Sequence, residues 1–380
     1  MTMTADLVAR SAELKGQLLD FARQPRYGRA FGEALLARDL TTSIPYEDQL
    51  ILFMDHFVLQ HRLRNGRTVV EQFVASRPDL PQNDRDLLLG WRDVVEGVFE
   101  VQRRDGEALI MQNLIDELAY RVRCNMGTAV FRRMPRRAFV IARLVPIGHE
   151  WLISGSLAVF PATERDYMYR AAAENALQEP ALMFRNPDKL AEAWELQRAD
   201  RDRFRRFFGT DLVVLAGDQF AARMRQYHDF VRTEILGTDA ASDGPRPTNS
   251  SAAIFDVEPD LAKSATVGVI YDEVEGMNFY AEFGMVEAVF TDPTLLRNHP
   301  YSELLTHYLD DDTVSPLPFR RLADRNPDRV SELFGKLLGR PGFEWRRDGE
   351  QLLRERKAAY FDRPPMPSIS PISDRLSQYI

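Results

Sequence analysis

Residues 91–160 read WRDVVEGVFEVQRRDGEALIMQNLIDELAYRVRCNMGTAVFRRMPRRAFVIARLVPIGHEWLISGSLAVF. Short apolar runs alternate here with turn signals. Val98 to Val101 and Ala108 to Met111 flank Arg103-Arg104-Asp105-Gly106-Glu107, and an Asp-Gly pair between extended runs is a strong hairpin signal. Leu118 to Cys124 alternates apolar and polar residues, the period of a half-buried strand, and Asn125-Met126-Gly127 turns it. Phe139 to Val145 and Trp151 to Phe160 follow, joined by Pro146-Ile147-Gly148. Five short strands at close spacing predict a small SH3-like or OB-like β-barrel that closes on itself to hide its edges.

Outward from this stretch the pattern changes to helices. Leu7, Leu14, Leu18 and Phe21 keep helical spacing, and Tyr46 to Leu63 carries a broad apolar stripe that Asn65-Gly66 is expected to stop. Further helices are predicted over Val69 to Ser76 and Asp84 to Leu89. After Pro161, Glu164 to Leu177 is helical by composition. Asn186-Pro187-Asp188 then opens a helix running to Phe208, with asparagine capping and proline in the first turn. Arg325-Asn326-Pro327-Asp328 is expected to repeat that device ahead of Val330 to Leu338.

Residues 218–235 form another amphipathic segment, and 237–252, rich in Gly, Ser, Asp, Thr and Pro, reads as a linker. Two strand-like runs, Thr266 to Tyr271 and Met277 to Phe283, precede helices near Tyr301 to Leu309, Asp328 to Leu338 and Gly349 to Tyr360. The expected organisation is multi-domain α+β: a helical N-terminal region (1–90), a small β-barrel (91–162), a helical segment (163–236), a flexible linker (237–252) and an acidic α+β C-terminal domain (253–380).

Composition narrows the function classes. The chain has 380 residues, 44% hydrophobic and 28% charged, which suits a folded globular chain of more than one core. No run approaches the roughly 20 apolar residues needed to span a bilayer, and Asp6 and Glu13 interrupt the first apolar positions, so a cytoplasmic location without membrane partners is expected. The single cysteine, Cys124, excludes an internal disulfide and a cysteine-based zinc site. No nucleotide-binding loop, nucleophile elbow, zincin motif or dinucleotide fingerprint occurs.

Charge is separated along the chain, although its net value is −8. Between Arg121 and Arg143 stand seven arginines and no acid, while from Ala253 to Asp312 thirteen carboxylates face only Lys263 and Arg297. Such separation steers partners. Arg121, Arg123, Arg132, Arg133, Arg136 and Arg137 are therefore the candidate partner-binding set. They are pictured on a basic hairpin of the barrel whose guanidiniums could clamp phosphates, with Phe131 and Phe139 at hand for base stacking.

His299, His307, Asp310 and Asp311 are the one grouping with metal-ligand spacing. On a helix, His307 and Asp311 lie at i and i+4 and could share one divalent ion. Two functions follow as expectations. The first is an interaction or regulatory protein, without cofactor, docking an acidic protein surface, nucleic acid or ribonucleoprotein. The alternative is a hydrolase using one divalent metal ion on a phosphate-containing substrate.

Overall fold

In a computed structural model, which describes residues 2–37, 46–236 and 261–380, strands β1 (Val95–Asp105), β2 (Ala108–Asn113), β3 (Ala119–Arg123), β4 (Phe139–Ile147) and β5 (Glu150–Phe160) form one sheet. β1 and β2 pair antiparallel around Gly106, whose φ of +63° is the left-handed conformation that a tight turn requires and glycine adopts at little cost. β2 pairs with β3, β4 with β5 and β4 with β1, all antiparallel, and β3 lies parallel to β5. The pairings therefore run in a ring, β1-β2-β3-β5-β4 and back to β1. Inside it pack Phe99, Val101, Met111, Tyr120, Val122, Val140 and Leu144, the alternate residues of their strands.

The parallel β3–β5 pair has a consequence for the basic cluster. β3 and β4 are not neighbours, so residues 124–138 form a crossing connection with a 3₁₀ turn at Val130–Arg133, and the expected arginine hairpin does not exist. A hairpin reading assumes that consecutive strands pair, and here the partner of β3 comes from later in the chain.

Helices α1 (Thr2–Ala22), α2 (Pro25–Leu36), α3 (Tyr46–Leu59), α4 (Val69–Ser76) and α5 (Gln82–Gly90) pack through Leu14, Leu18, Phe57, Val70, Phe73 and Leu88, with Trp91 and Leu152 in the same cluster. α3 ends at Leu59 rather than at Asn65-Gly66. That pair instead makes the turn into α4, with the Gly66 N–H donating to the Leu63 carbonyl and the Asn65 side chain accepting from the Arg67 N–H. α4 opens on a reciprocal cap: Thr68 Oγ1 accepts from the Glu71 N–H, and the Glu71 carboxylate accepts from the Thr68 N–H.

The chain divides into two compact units, residues 1–189 with 372–380, and residues 190–371. The boundary falls within α7 (Pro187–Phe208), which follows α6 (Arg165–Gln178). The proposed linker 237–252 lies outside the described residues. As expected, Asn186 caps α7 through its side-chain oxygen, which accepts from the Asp188 N–H at 3.0 Å.

The second unit holds a three-stranded antiparallel sheet of β6 (Leu212–Ala216), β7 (Thr266–Asp272) and β8 (Gly276–Ala281), in the order β6-β7-β8. α8 (Gly217–Leu236) and the end of α7 cover it with Phe204, Phe220, Met224 and Tyr227. A second cluster joins α9 (Phe283–Thr291), α10 (His299–Asp310), α11 (Leu317–Arg325), α12 (Val330–Leu337) and α13 (Trp345–Arg356) through Phe283, Phe290, Phe319, Leu322 and Phe334. The Asn-Pro-Asp device is not repeated before α12. Asn326 instead closes α11, its side-chain amide donating to the Leu322 carbonyl at 3.0 Å, and α12 starts after Arg329 without a side-chain cap.

Candidate functional site

The connection from β3 to β4 is held by its apolar residues. In the run Phe131-Arg132-Arg133-Met134-Pro135-Arg136-Arg137-Ala138, Phe131, Met134 and Ala138 are buried in the core of the sheet, and the four arginines between them are exposed. Backbone bonds fix the exit: the Arg137 N–H donates to the Val101 carbonyl at 2.8 Å, and the Val101 N–H donates to the Ala138 carbonyl at 2.9 Å. Arg137 adopts φ +69°, a left-handed conformation that costs an L-residue about 1–2 kcal/mol. Arg132, Arg133, Arg136 and Arg137 make no ion pair among the described residues.

The other three arginines of the run are occupied. Arg121 and Arg123 on β3 both donate to Glu150 on β5, at 2.9 and 2.6 Å, and pair further with Asp105 and Glu107 respectively. The Arg123 hydrogen bond, followed by that from Arg121, holds the Glu150 carboxyl below its usual range. These two arginines stitch strands together and drop out of the partner-binding set. Arg143 is buried and donates to Asp55 at 2.9 Å and to Glu96.

The expected stacking aromatics are also absent from the surface. Phe131 is 4% exposed and Phe139 1%: Phe131 is an apolar anchor of the connection, and Phe139, the first residue of β4, packs edge-on against Tyr169. What sequence reasoning missed is Arg103-Arg104. Val101, the backbone partner of Arg137, is followed on β1 by these two exposed arginines. Arg104 directs Nε to the Gly106 carbonyl at 3.1 Å and has no carboxylate partner. Their signal was there as a doublet in the Asp-Gly hairpin, and in the fold Arg103 lies 3.8 Å from Asp105, which leaves Arg104 as the arginine of the pair without a carboxylate.

Near the arginine connection, Met126 is 65% exposed and Cys124 is buried, its thiol pushed up by that burial and so not activated as a nucleophile. The metal candidates separate. His307 and Asp311 approach to 3.4 Å across one turn of α10, but His299 turns to Glu303 at 3.2 Å and Asp310 to Arg356 at 2.7 Å. Among the described residues no group of three or more His, Cys, Asp or Glu side chains converges as a metal site would require. Part of the acidic segment is paired inside its own unit, with Asp272 on Arg321 at 2.8 Å and Glu287 on Arg325 at 3.2 Å.

Two buried polar clusters lie in the first unit. Asp55, on α3, accepts from Arg143 Nε, from Ser154 Oγ at 2.7 Å and from Lys15 of α1. Burial pushes its carboxyl up, but Lys15 and Arg143 together outweigh that and hold it down at about 2. Asp116, in the β2–β3 turn, accepts from Tyr120 Oη at 2.5 Å, the Leu118 N–H at 2.8 Å and Asn113 at 3.2 Å. Here burial wins and its carboxyl is pushed up to about 6. Lys15 Nζ and Ser154 Oγ are 3.1 Å apart, but Lys15 is committed to the Asp55 carboxylate and Ser154 is 5% exposed, which makes this a structural cluster rather than a nucleophile and its base.

No helix among the described residues is long and apolar enough to cross a membrane. Residues 10–205, just over half of the chain and including the whole arginine connection, match a family described as a family of unknown function, DUF7986. No curated protein and no solved structure matches the chain.

Proposed function

Since the chain belongs to a family of unknown function, DUF7986, its role has to be read from its own side chains, and we propose that it is a cytoplasmic interaction or regulatory protein docking an acidic partner through Arg132, Arg133, Arg136 and Arg137. The observation that carries this reading is four exposed guanidiniums, without ion-pair partners among the described residues, on a connection pinned by Phe131, Met134 and Ala138. Like charges held close repel one another, and a partner of opposite sign relieves that cost. Functional side chains on a loop fixed by a rigid scaffold are the usual arrangement for binding. We further read the ring of five strands as a small SH3/OB-like barrel, an architecture whose loops serve recognition.

The test is a panel of immobilised polyanions, a poly-glutamate peptide, heparin and nucleic acid, probed with the full chain and with a variant carrying Arg132→Glu, Arg133→Glu and Arg136→Glu. The side chains changed are all exposed, so the variant should melt as the parent does. Retention of the parent on at least one polyanion, lost in the variant, supports the reading. Equal behaviour of the two proteins on every polyanion sinks it.

A further inference from the structure

We infer that the acidic partner is double-helical nucleic acid, gripped through its backbone phosphates and not through its bases; this rests on the docking reading above. Four observations point there. The exposed donors are all guanidiniums, whose planar fork matches a phosphate's oxygens in two parallel hydrogen bonds. Arg104, exposed on β1, the strand whose Val101 holds the backbone of Arg137, adds a guanidinium that no carboxylate holds. No acid occurs in the chain between Arg121 and Arg143, and the nearby carboxylates Glu150, Asp105 and Glu107 are each paired with Arg121 or Arg123, while the chain as a whole carries −8, so this face is where a polyanion can approach.

The fourth observation decides between forms of nucleic acid. Proteins that hold single strands stack bases on exposed aromatic rings, and here the aromatics of the connection and of the start of β4, Phe131 and Phe139, are buried in the core. A surface that offers charge without stacking responds to charge density. A duplex carries one charge per about 1.7 Å of axis, more than a single strand, so the duplex is the tighter ligand. An acidic protein surface is less well matched, because a typical protein interface buries an apolar centre, and Met126 is the one large apolar side chain exposed on this connection.

The experiment is fluorescence anisotropy of a labelled 20-base-pair duplex, the corresponding single strand and a poly-glutamate peptide with the full-length protein, from 50 to 250 mM salt. The duplex should bind at least several-fold tighter than the single strand, independently of its sequence. With five phosphate contacts, Arg104 included, its log affinity should fall against log salt with a slope of roughly −4.5. The combined variant Arg132→Gln, Arg133→Gln, Arg136→Gln and Arg137→Gln should flatten that slope, and the single variant Arg104→Gln should lower it by about one contact. Tighter binding of the single strand overturns the backbone-only inference. Binding of poly-glutamate with no duplex binding overturns the nucleic-acid inference and leaves the docking reading standing. Binding of none of the three overturns both.

Discussion

Asp116→Asn should change the pH dependence of stability in a direction that most carboxylate substitutions do not. The Asp116 side chain is 1% exposed and accepts from Tyr120, Asn113 and the Leu118 N–H, yet burial still prevails and its carboxyl titrates at about 6, against about 3.8 for an unperturbed aspartate. The folded protein therefore holds a proton between pH about 4 and 6 that the unfolded chain has released. Stability contributed by this group falls as pH rises through that window and levels off above it. Two pKa units at 1.36 kcal/mol each amount to about 3 kcal/mol.

The asparagine variant places an amide N–H₂ against groups that already donate, a cost of about 1–3 kcal/mol that does not vary with pH. The quantity to measure is thus the difference between variant and parent from urea unfolding at intervals between pH 4 and 7.5, in which the other titrating groups cancel. That difference should move in the variant's favour by about 3 kcal/mol from the acid end to the neutral end. A difference that stays flat across the range, or moves the other way, would refute the burial argument.

Asp55→Asn tests the opposite sign. Its carboxyl is held at about 2 by Lys15 and Arg143, so the stability it supplies is present above pH 4 and lost as pH falls through 2; at pH 7 the variant should lose about 3–5 kcal/mol, and chemical denaturation should show that penalty shrinking below pH 4. Arg137→Gly relieves a left-handed arginine at φ +69° at the expense of some unfolded-state entropy, so the melt should be unchanged or raised by up to about 1 kcal/mol while polyanion binding weakens. Gly268→Ala on β7 would put a methyl 2.3 Å from the Phe283 ring, and unfolding measurements should register a loss of about 1–3 kcal/mol.

Local signals made much of this fold legible. The Asp-Gly turn of β1 and β2, the alternation of β3 and the Asn-Pro-Asp opening of α7 are each decided by residues within a few positions of one another, and each lies where the sequence places it. The elements that went unread in the sequence share a different physics. β6 is five residues, Leu212–Ala216, between two helices, and it becomes a strand only because β7, over fifty residues later, supplies its hydrogen bonds. Phe283–Thr291 is apolar on nearly every side, so period alone does not separate a buried helix from the continuation of β8. α2 carries Gly28 and Gly32, which weaken its helical signal, and it forms by packing Tyr27 and Phe31 against the helices around it.

The same distinction governs the site. That the arginines lie together is a local fact of sequence; which of them remain available is a tertiary one. Arg121, Arg123 and Arg143 look identical to Arg132, Arg133, Arg136 and Arg137 in composition, and they differ because Glu150, Asp105, Glu107, Asp55 and Glu96 arrive from other strands, from the β1–β2 turn and from α3 to neutralise the first three. The spacing of Phe131, Met134 and Ala138 did hold the answer for the rest, since three buried anchors in eight residues leave the arginines between them no direction but outward. A cluster of charge therefore becomes a candidate interface only after the fold has been allowed to spend it. What survives that subtraction, four guanidiniums on a pinned connection, is the surface that remains for a partner of opposite charge.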